Sequence, residues 1–200
     1  PARTWSLQGL HPTWHWGSSA GRVRFGGEGA APCGLCGGIL HALVELPEAM
    51  VFESGGSGLI ALQTCLSCLG WEQKTLHYRH EQSGAVASLD RGQVTPQFPA
   101  KPLKGCEVGI AATPSRWCWQ DWALSNSREN LNRVGGFPCW VQDAEHPECP
   151  ECEQKMRFVM QLDSDLPTED GEAWMWGIGG IGYGFSGSRC RILAYRWQCT

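Results

Sequence analysis

Three Cys-x-x-Cys pairs, Cys33–Cys36, Cys65–Cys68 and Cys149–Cys152, constrain this chain more than any other feature. Two thiolates separated by two residues sit on one tight turn and face the same ion. Two such turns supply the four sulfurs of a tetrahedral zinc site. The first two pairs therefore predict one structural zinc, held by Cys33, Cys36, Cys65 and Cys68. The chain has eleven cysteines in all. An odd count, with no basic and then apolar leader pattern, fits a reduced, cytoplasmic setting better than a disulfide framework. Buried thiols acting as small apolar side chains are the simpler alternative. A thioredoxin-like redox pair is opposed by Gly37 and Gly38, which stand where such a motif would open a helix.

The knuckle is written twice. Sliding the chain along itself superposes Cys33 and Cys36 on Cys149 and Cys152. After each pair comes a period-two segment, the mark of a strand with one face buried. Leu40, Ala42, Val44 and Leu46 carry the pattern in the first copy, and Met156, Phe158, Met160 and Leu162 in the second. Further on, Gly58 to Cys68 resembles Gly180 to Cys190: a glycine, a short apolar strand, then a knuckle. The second copy has Gly187 where the first has Cys65, which leaves Cys149, Cys152 and Cys190. The expectation is a degenerate site that has lost a ligand and its metal. The alternatives are a site completed by His146, Cys199 or water, or the open position of a catalytic zinc, which would make the chain a zinc-dependent hydrolase. No zinc-protease or deaminase spacing accompanies these cysteines.

The expected architecture is a β-rich α+β fold of two pseudo-repeated zinc-knuckle/β modules packed into one globular unit, a single domain over 1–200. Pseudo-repeat 1 covers about 20–82, a Trp-rich connecting segment about 83–127, and pseudo-repeat 2 about 128–200. The best helix candidate runs from Arg128 to Val134, with caps at Ser125-Asn126-Ser127 and a stop at Gly135.

Charge narrows the function classes. Sixteen basic against twenty acidic residues argue against a general nucleic-acid binder or a zinc-ribbon nucleic-acid module. The apolar runs are too short for a membrane helix. Ten of the acidic residues fall in 143–172, opposed only by Lys155 and Arg157. Asp163, Asp165, Glu169, Asp170 and Glu172 form an acidic loop between the two strands of the second copy. Solvation explains such a loop by default; an electrostatic surface for a basic protein is the sharper reading. Trp117 and Trp119, with Trp122 beside them, are either the packed seam between modules or a protein-binding hot spot. No nucleophile elbow or Walker loop occurs, and Gly177-Ile178-Gly179-Gly180-Ile181-Gly182 matches a dinucleotide fingerprint only as a string. No catalytic residue is selected, so a binding protein is expected rather than an enzyme.

Val134 to Asp143, the Cys149-Pro150-Glu151-Cys152 turn, Met156 to Ser164, Trp176 to Tyr183 and the ending Trp197-Gln198-Cys199-Thr200 resemble the YwqG-like family of bacterial domains. The resemblance is clearest over 128–200. Family members with cysteine knuckles carry Cys at the position of Gly187, where this chain departs. The resemblance implies a duplicated β-rich α+β fold, a bacterial cytoplasmic setting and no established catalytic residues. Members also occur beside polymorphic or type VI secreted toxins, where they look like immunity proteins. The expected role is thus to bind and neutralise a cognate toxin, with a nuclease and its basic nucleic-acid-binding cleft as the first candidate. Asp163, Asp165, Glu169, Asp170, Glu172, Trp117 and Trp119 would make the contact, with neither nucleic acid nor membrane as a direct partner.

Overall fold

Short alternating segments cannot bury an apolar face alone, and here they pair edge to edge into one large antiparallel sheet. The computed structural model describes residues 5–8, 21–53, 56–70, 75–112 and 131–200. The strands are β1 (Trp5–Gln8), β2 (Gly21–Pro32), β3 (Ile39–Pro47), β4 (Leu59–Thr64), β5 (Thr75–His80), β6 (Val86–Ser88) and β7 (Leu103–Ala112). They continue with β8 (Arg133–Val134), β9 (Arg157–Asp163), β10 (Leu166–Pro167), β11 (Ala173–Trp174), β12 (Ile181–Gly187) and β13 (Ile192–Gln198). Eleven of them form one sheet in the order β4-β3-β2-β7-β1-β8-β9-β12-β13-β5-β6, while β10 and β11 form a separate hairpin. Helix is limited, among the described residues, to two single turns, α1 (Glu48–Val51) and α2 (Leu66–Leu69). None is long and apolar enough to cross a membrane.

The duplication is visible in the strand register. In the β3–β4 hairpin His41 faces Thr64 and Ala42 faces Gln63, and the ladder then slips so that Val44 faces Leu62. In the β9–β12 pair Arg157 faces Ser186 and Phe158 faces Phe185, and the ladder slips so that Met160 faces Gly184. These are corresponding residues of the two copies, with the irregularity at the same step.

Both faces of the sheet are covered. On β13, Ile192 and Ala194 enter one apolar cluster with Phe158, Tyr183 and Phe185, while Leu193 and Tyr195 enter the other with Phe25, Leu62 and Tyr78. This modifies the expected one-sided strands: Phe158 to Leu162 of β9 are buried without interruption, because β9 is central and layered on both sides. In β3 the slip between Ala42 and Val44 turns Leu43 inward as well, beside Leu40, Val44 and Leu46.

The helix expected from Arg128 to Val134 is corrected where it is described. Arg133 and Val134 are strand β8, wedged between Trp5–Ser6 of β1 and Met160–Gln161 of β9. Long-range pairing and the burial of both side chains override a local pattern that only propensity supported. Residues 128–130 lie outside the described part.

His80, the last residue of β5, is 2% exposed, packs its ring against Phe52, and has no partner for Nε2 among the described residues. Burial, helped by the charge of Arg191, pulls its pKa down from about 6.5 to about 4. The folded state therefore binds fewer protons than the unfolded chain between these values. The stabilising contribution is complete above pH 6.5 and disappears as the pH falls towards 4, a loss of about 3 kcal/mol. Denaturant midpoints measured across this range should fall more steeply for the native chain than for His80→Phe. Parallel profiles would refute the assignment.

Candidate metal centres

The first knuckle is shaped by its own backbone. The turn Cys33-Gly34-Leu35-Cys36 joins β2 to β3, and is closed by Gly37 N–H donating to Cys33 O at 2.9 Å and Cys33 N–H to Gly38 O at 2.7 Å. Gly37 sits at φ +73°, a left-handed angle that glycine adopts without strain. Cys65 precedes α2 and Cys68 lies within it. The hairpin brings the two pairs together: Cys33 Sγ is 3.9 Å from Cys68 Sγ, and Cys36 Sγ is 3.6 Å from Cys65 Sγ. A tetrahedral ion with 2.3 Å metal–sulfur bonds sets its ligands about 3.8 Å apart. All four sulfurs lie within 4.8 Å of one another, so the cluster could hold one metal ion.

Surrounding groups fix the ligands. Leu35 N–H donates to Cys33 Sγ at 3.4 Å, and Tyr78 Oη accepts the Cys65 N–H at 3.0 Å. His41 Nδ1 accepts the Leu66 N–H while its Nε2–H donates to Ala100 O, both at 3.2 Å. Burial pushes that imidazole below its usual range, which keeps it neutral and able to serve both partners. After β6, Gly92 and Val94 donate to the carbonyls of Gly34 and Leu35, at 3.2 and 3.0 Å. The knuckle thereby ties the β2–β3 end of the sheet to the β5–β6 end. Electrostatically, a hydrogen bond from Cys65 pulls Cys33 down to about 5, against burial. The same contact pushes Cys65 far up, and burial does the same to Cys68. In the packed cluster Cys33 gives up its proton easily while Cys65 and Cys68 hold theirs; a dication supplies the charge that releases them.

The second knuckle repeats the turn. Glu153 N–H donates to Cys149 O and Cys149 N–H to Gln154 O, each at 2.9 Å. Glu153 takes the left-handed angle of Gly37, φ +58°, at a cost glycine avoids. Cys190 lies in the turn between β12 and β13, and the sulfurs of Cys149, Cys152 and Cys190 are within 4.8 Å of one another. Gly187 faces this cluster: a Cβ placed on it would stand 3.0 Å from Cys149 Sγ. The fourth ligand position is therefore where the alignment of the copies puts it, with no side chain to fill it. The residues considered as substitutes do not fill it either. His146 is held through Nδ1 by Met156 O at 3.2 Å, with its ring against Trp140 and Phe185. Cys199 lies beside Gly177. The backbone N–H of Gln154 lowers the exposed Cys152 thiol, while its contact with Cys152 raises Cys190 to about 12. A cleft of about 300 Å³ opens at this cluster, lined by Cys149, Cys152, Gly187 and several polar residues.

The acidic segment is a structured hairpin rather than a loop. Leu166 pairs with Trp174 and Pro167 with Ala173, and Leu166 and Thr168 are buried beneath it. Asp165, Glu169, Asp170 and Glu172 are exposed, whereas Asp163 is half-buried and accepts the Ser164 N–H. Asp170 accepts the Thr168 hydroxyl at 2.6 Å and the Glu172 N–H at 3.3 Å, which lowers its pKa. Sequence reasoning missed Met175 and Ile178, 47% and 78% exposed, which follow β11 in the chain. Their exposure is a tertiary fact, since an apolar residue in a strand pattern ordinarily reads as core. Tyr78 and His41 were missed as supports of the knuckle because nothing local distinguishes them from core residues. Trp117 and Trp119 lie outside the described residues.

Fold and sites together define a β-rich protein with two knuckle-like cysteine clusters that could hold metal. No protein-family model matches the chain, and neither does any solved structure. A stretch of 70 residues, 35% of the chain, is 38% identical to the uncharacterized protein YpfL of Salmonella typhimurium. The matched stretch covers 15% of that protein's length.

Proposed function

We propose that this chain is a bacterial immunity protein acting in the cytoplasm. It binds a cognate toxin of the polymorphic or type VI secreted kind, a nuclease, and covers the basic cleft of that toxin with an acidic surface. The observation that carries the reading is the β10–β11 hairpin. It holds Asp165, Glu169, Asp170 and Glu172 in solvent, and the exposed apolar residues Met175 and Ile178 follow it in the chain. Exposed apolar side chains and charged ones are both what a protein interface presents. Asp163, at the end of β9 just before the hairpin, and Trp117 and Trp119 are assigned to the same contact. The metal is zinc at Cys33, Cys36, Cys65 and Cys68, where it braces the scaffold that presents the hairpin.

The test is the toxin encoded beside this gene. Changing Asp165, Glu169, Asp170 and Glu172 together to lysine places like charges against a basic cleft and should weaken binding at least about 100-fold. Calorimetric titration measures this, and growth of toxin-expressing cells should lose protection in parallel. A quadruple variant that binds and protects like the native chain would sink the proposal. So would a native chain that does neither.

A second reading, a zinc-dependent hydrolase at Cys149, Cys152 and Cys190, is favoured only by the cleft beside them. Glu53, the one carboxylate among its lining residues, accepts the Ser188 hydroxyl at 3.0 Å and contacts Arg189 Nε at 3.5 Å. A general base would have to leave those partners to reach a bound water.

A further inference from the structure

Three observations converge on the second cysteine cluster. Cys149, Cys152 and Cys190 present three sulfurs within 4.8 Å of one another, on a turn that repeats the hydrogen bonding of the first knuckle. The fourth corner is Gly187, whose missing side chain would have stood against Cys149 Sγ, and the cleft of about 300 Å³ lies on that side. Ser186, the strand neighbour of Gly187, is 1% exposed and is one of the residues around the cleft, and its hydroxyl, itself shut off from solvent, has no hydrogen-bond partner among the described residues. Its counterpart in the first copy, Thr64, donates to Tyr78 Oη at 3.3 Å. Three sulfurs of a tetrahedral set with a cleft at the open corner mark a place that a ligand completes.

We propose that Cys149, Cys152 and Cys190 hold a second thiophilic dication, and that its fourth position, opened by Gly187, takes a small-molecule thiolate from the cleft. The charge balance supports an anion there. Three thiolates on a dication leave one negative charge, while Lys155, Arg157 and Arg189 against Glu53 leave the lining net positive. Arg157 is steadied in this lining by the carbonyls of Met50 and Val51, at 3.0 and 2.8 Å. Sulfur is the preferred donor because three thiolates make the ion soft and a poor activator of water. In the exchange, the incoming thiol gives its proton to solvent, a metal–sulfur bond forms and a bound water leaves; no oxidation state changes. A cleft of this size lies at the lower end of those that take small-molecule ligands, so a thiol with a short polar body fits. The first site, with four protein sulfurs, has no position to exchange. The inference does not rest on toxin binding, and its test contains no toxin.

The experiment uses the full reduced chain titrated with cobalt(II), whose thiolate charge-transfer and ligand-field absorption report the donors directly. Two equivalents of cobalt are expected. The second should be released to a chelator at least about tenfold faster than the first, as three protein ligands hold it instead of four. Adding 2-mercaptoethanol should increase the charge-transfer absorption of the second cobalt only. Gly187→Cys should make the second site resemble the first and abolish the thiol response. Should the new side chain crowd Cys149, Cys190→Ser provides the independent check: one equivalent of cobalt is lost and the response to thiol goes with it. A native chain that binds one equivalent overturns the proposal. Two equivalents whose spectra ignore the thiol overturn it equally.

Discussion

Cys65→Ser, or removal of the metal by a chelator, is expected to abolish the cooperative thermal transition or lower its midpoint by more than about 10 °C. Structural zinc in small domains contributes about 10–16 kcal/mol of apparent binding energy, as much as the whole stability of an ordinary domain. Here the site joins segments distant in sequence: the β2–β3 turn, α2 and, through Gly34 and Leu35, the irregular segment after β6. Loss of Cys65 also takes away the contact that holds Cys33 low and leaves three of the four sulfurs that would grip the ion. Melting followed by circular dichroism, with metal content measured on the same samples, checks the prediction. Cys190→Ser provides the contrast, with a small shift, because the second cluster is more exposed and lacks a fourth protein ligand. Indistinguishable melting of native and Cys65→Ser chains would show that the four sulfurs merely pack.

The second large effect belongs to Gly180→Ala. A Cβ at this position would lie 1.9 Å from the carbonyl oxygen of Gln198. Neither side can retreat. Gly180 N–H donates to Trp176 O at 2.8 Å, and Gly180 O accepts the Ser164 hydroxyl at 2.9 Å. Gln198 is anchored by Nε2–H to Asp143 O at 2.8 Å and by Oε1 from the Gln142 N–H at 3.1 Å. The substitution should cost about 3 kcal/mol or more, a midpoint shift of roughly 6–12 °C. Gly105, with nothing within 4 Å of its added Cβ, is the control, and Gly105→Ala should stay within about 0.5 kcal/mol. Equal stability of the two variants would mean that the start of β12 gives way more readily than its hydrogen bonds imply. The same crowding explains the string from Gly177 to Gly182. Gly177, Gly180 and Gly182 admit Trp197, Gln198 and Trp176 to close approach, with a Cβ at Gly182 standing 2.3 Å from the Trp176 ring, whereas Gly179 has open space around it and takes φ +114°.

The duplication was legible because its marks are local and chemical. The Cys33–Cys36 and Cys149–Cys152 spacings define turns, and the period-two segments after them define strands that tertiary contacts did not overturn. The acidic cluster was legible as composition, while its hairpin was not: two short strands of two residues carry no periodic signal. The helix expected at 128–134 failed where it is described, at Arg133 and Val134. Their partners, Trp5 and Met160, are remote in the chain, and no window around residue 133 contains them.

The sequence by itself determined the β-rich class, the two copies, the first four-sulfur site and the glycine that interrupts the second. Each follows from residue type and spacing over a few turns of chain. Tertiary structure alone decided that both copies share one sheet, because pairing between β8 and β9 or β13 and β5 depends on which edges meet. It also decided that His146 and Cys199 stand apart from the second cluster, that Ser186 is buried beside it without a partner, and that Met175 and Ile178 face solvent. Proximity and exposure depend on where distant segments pack, and that information is distributed over the whole chain.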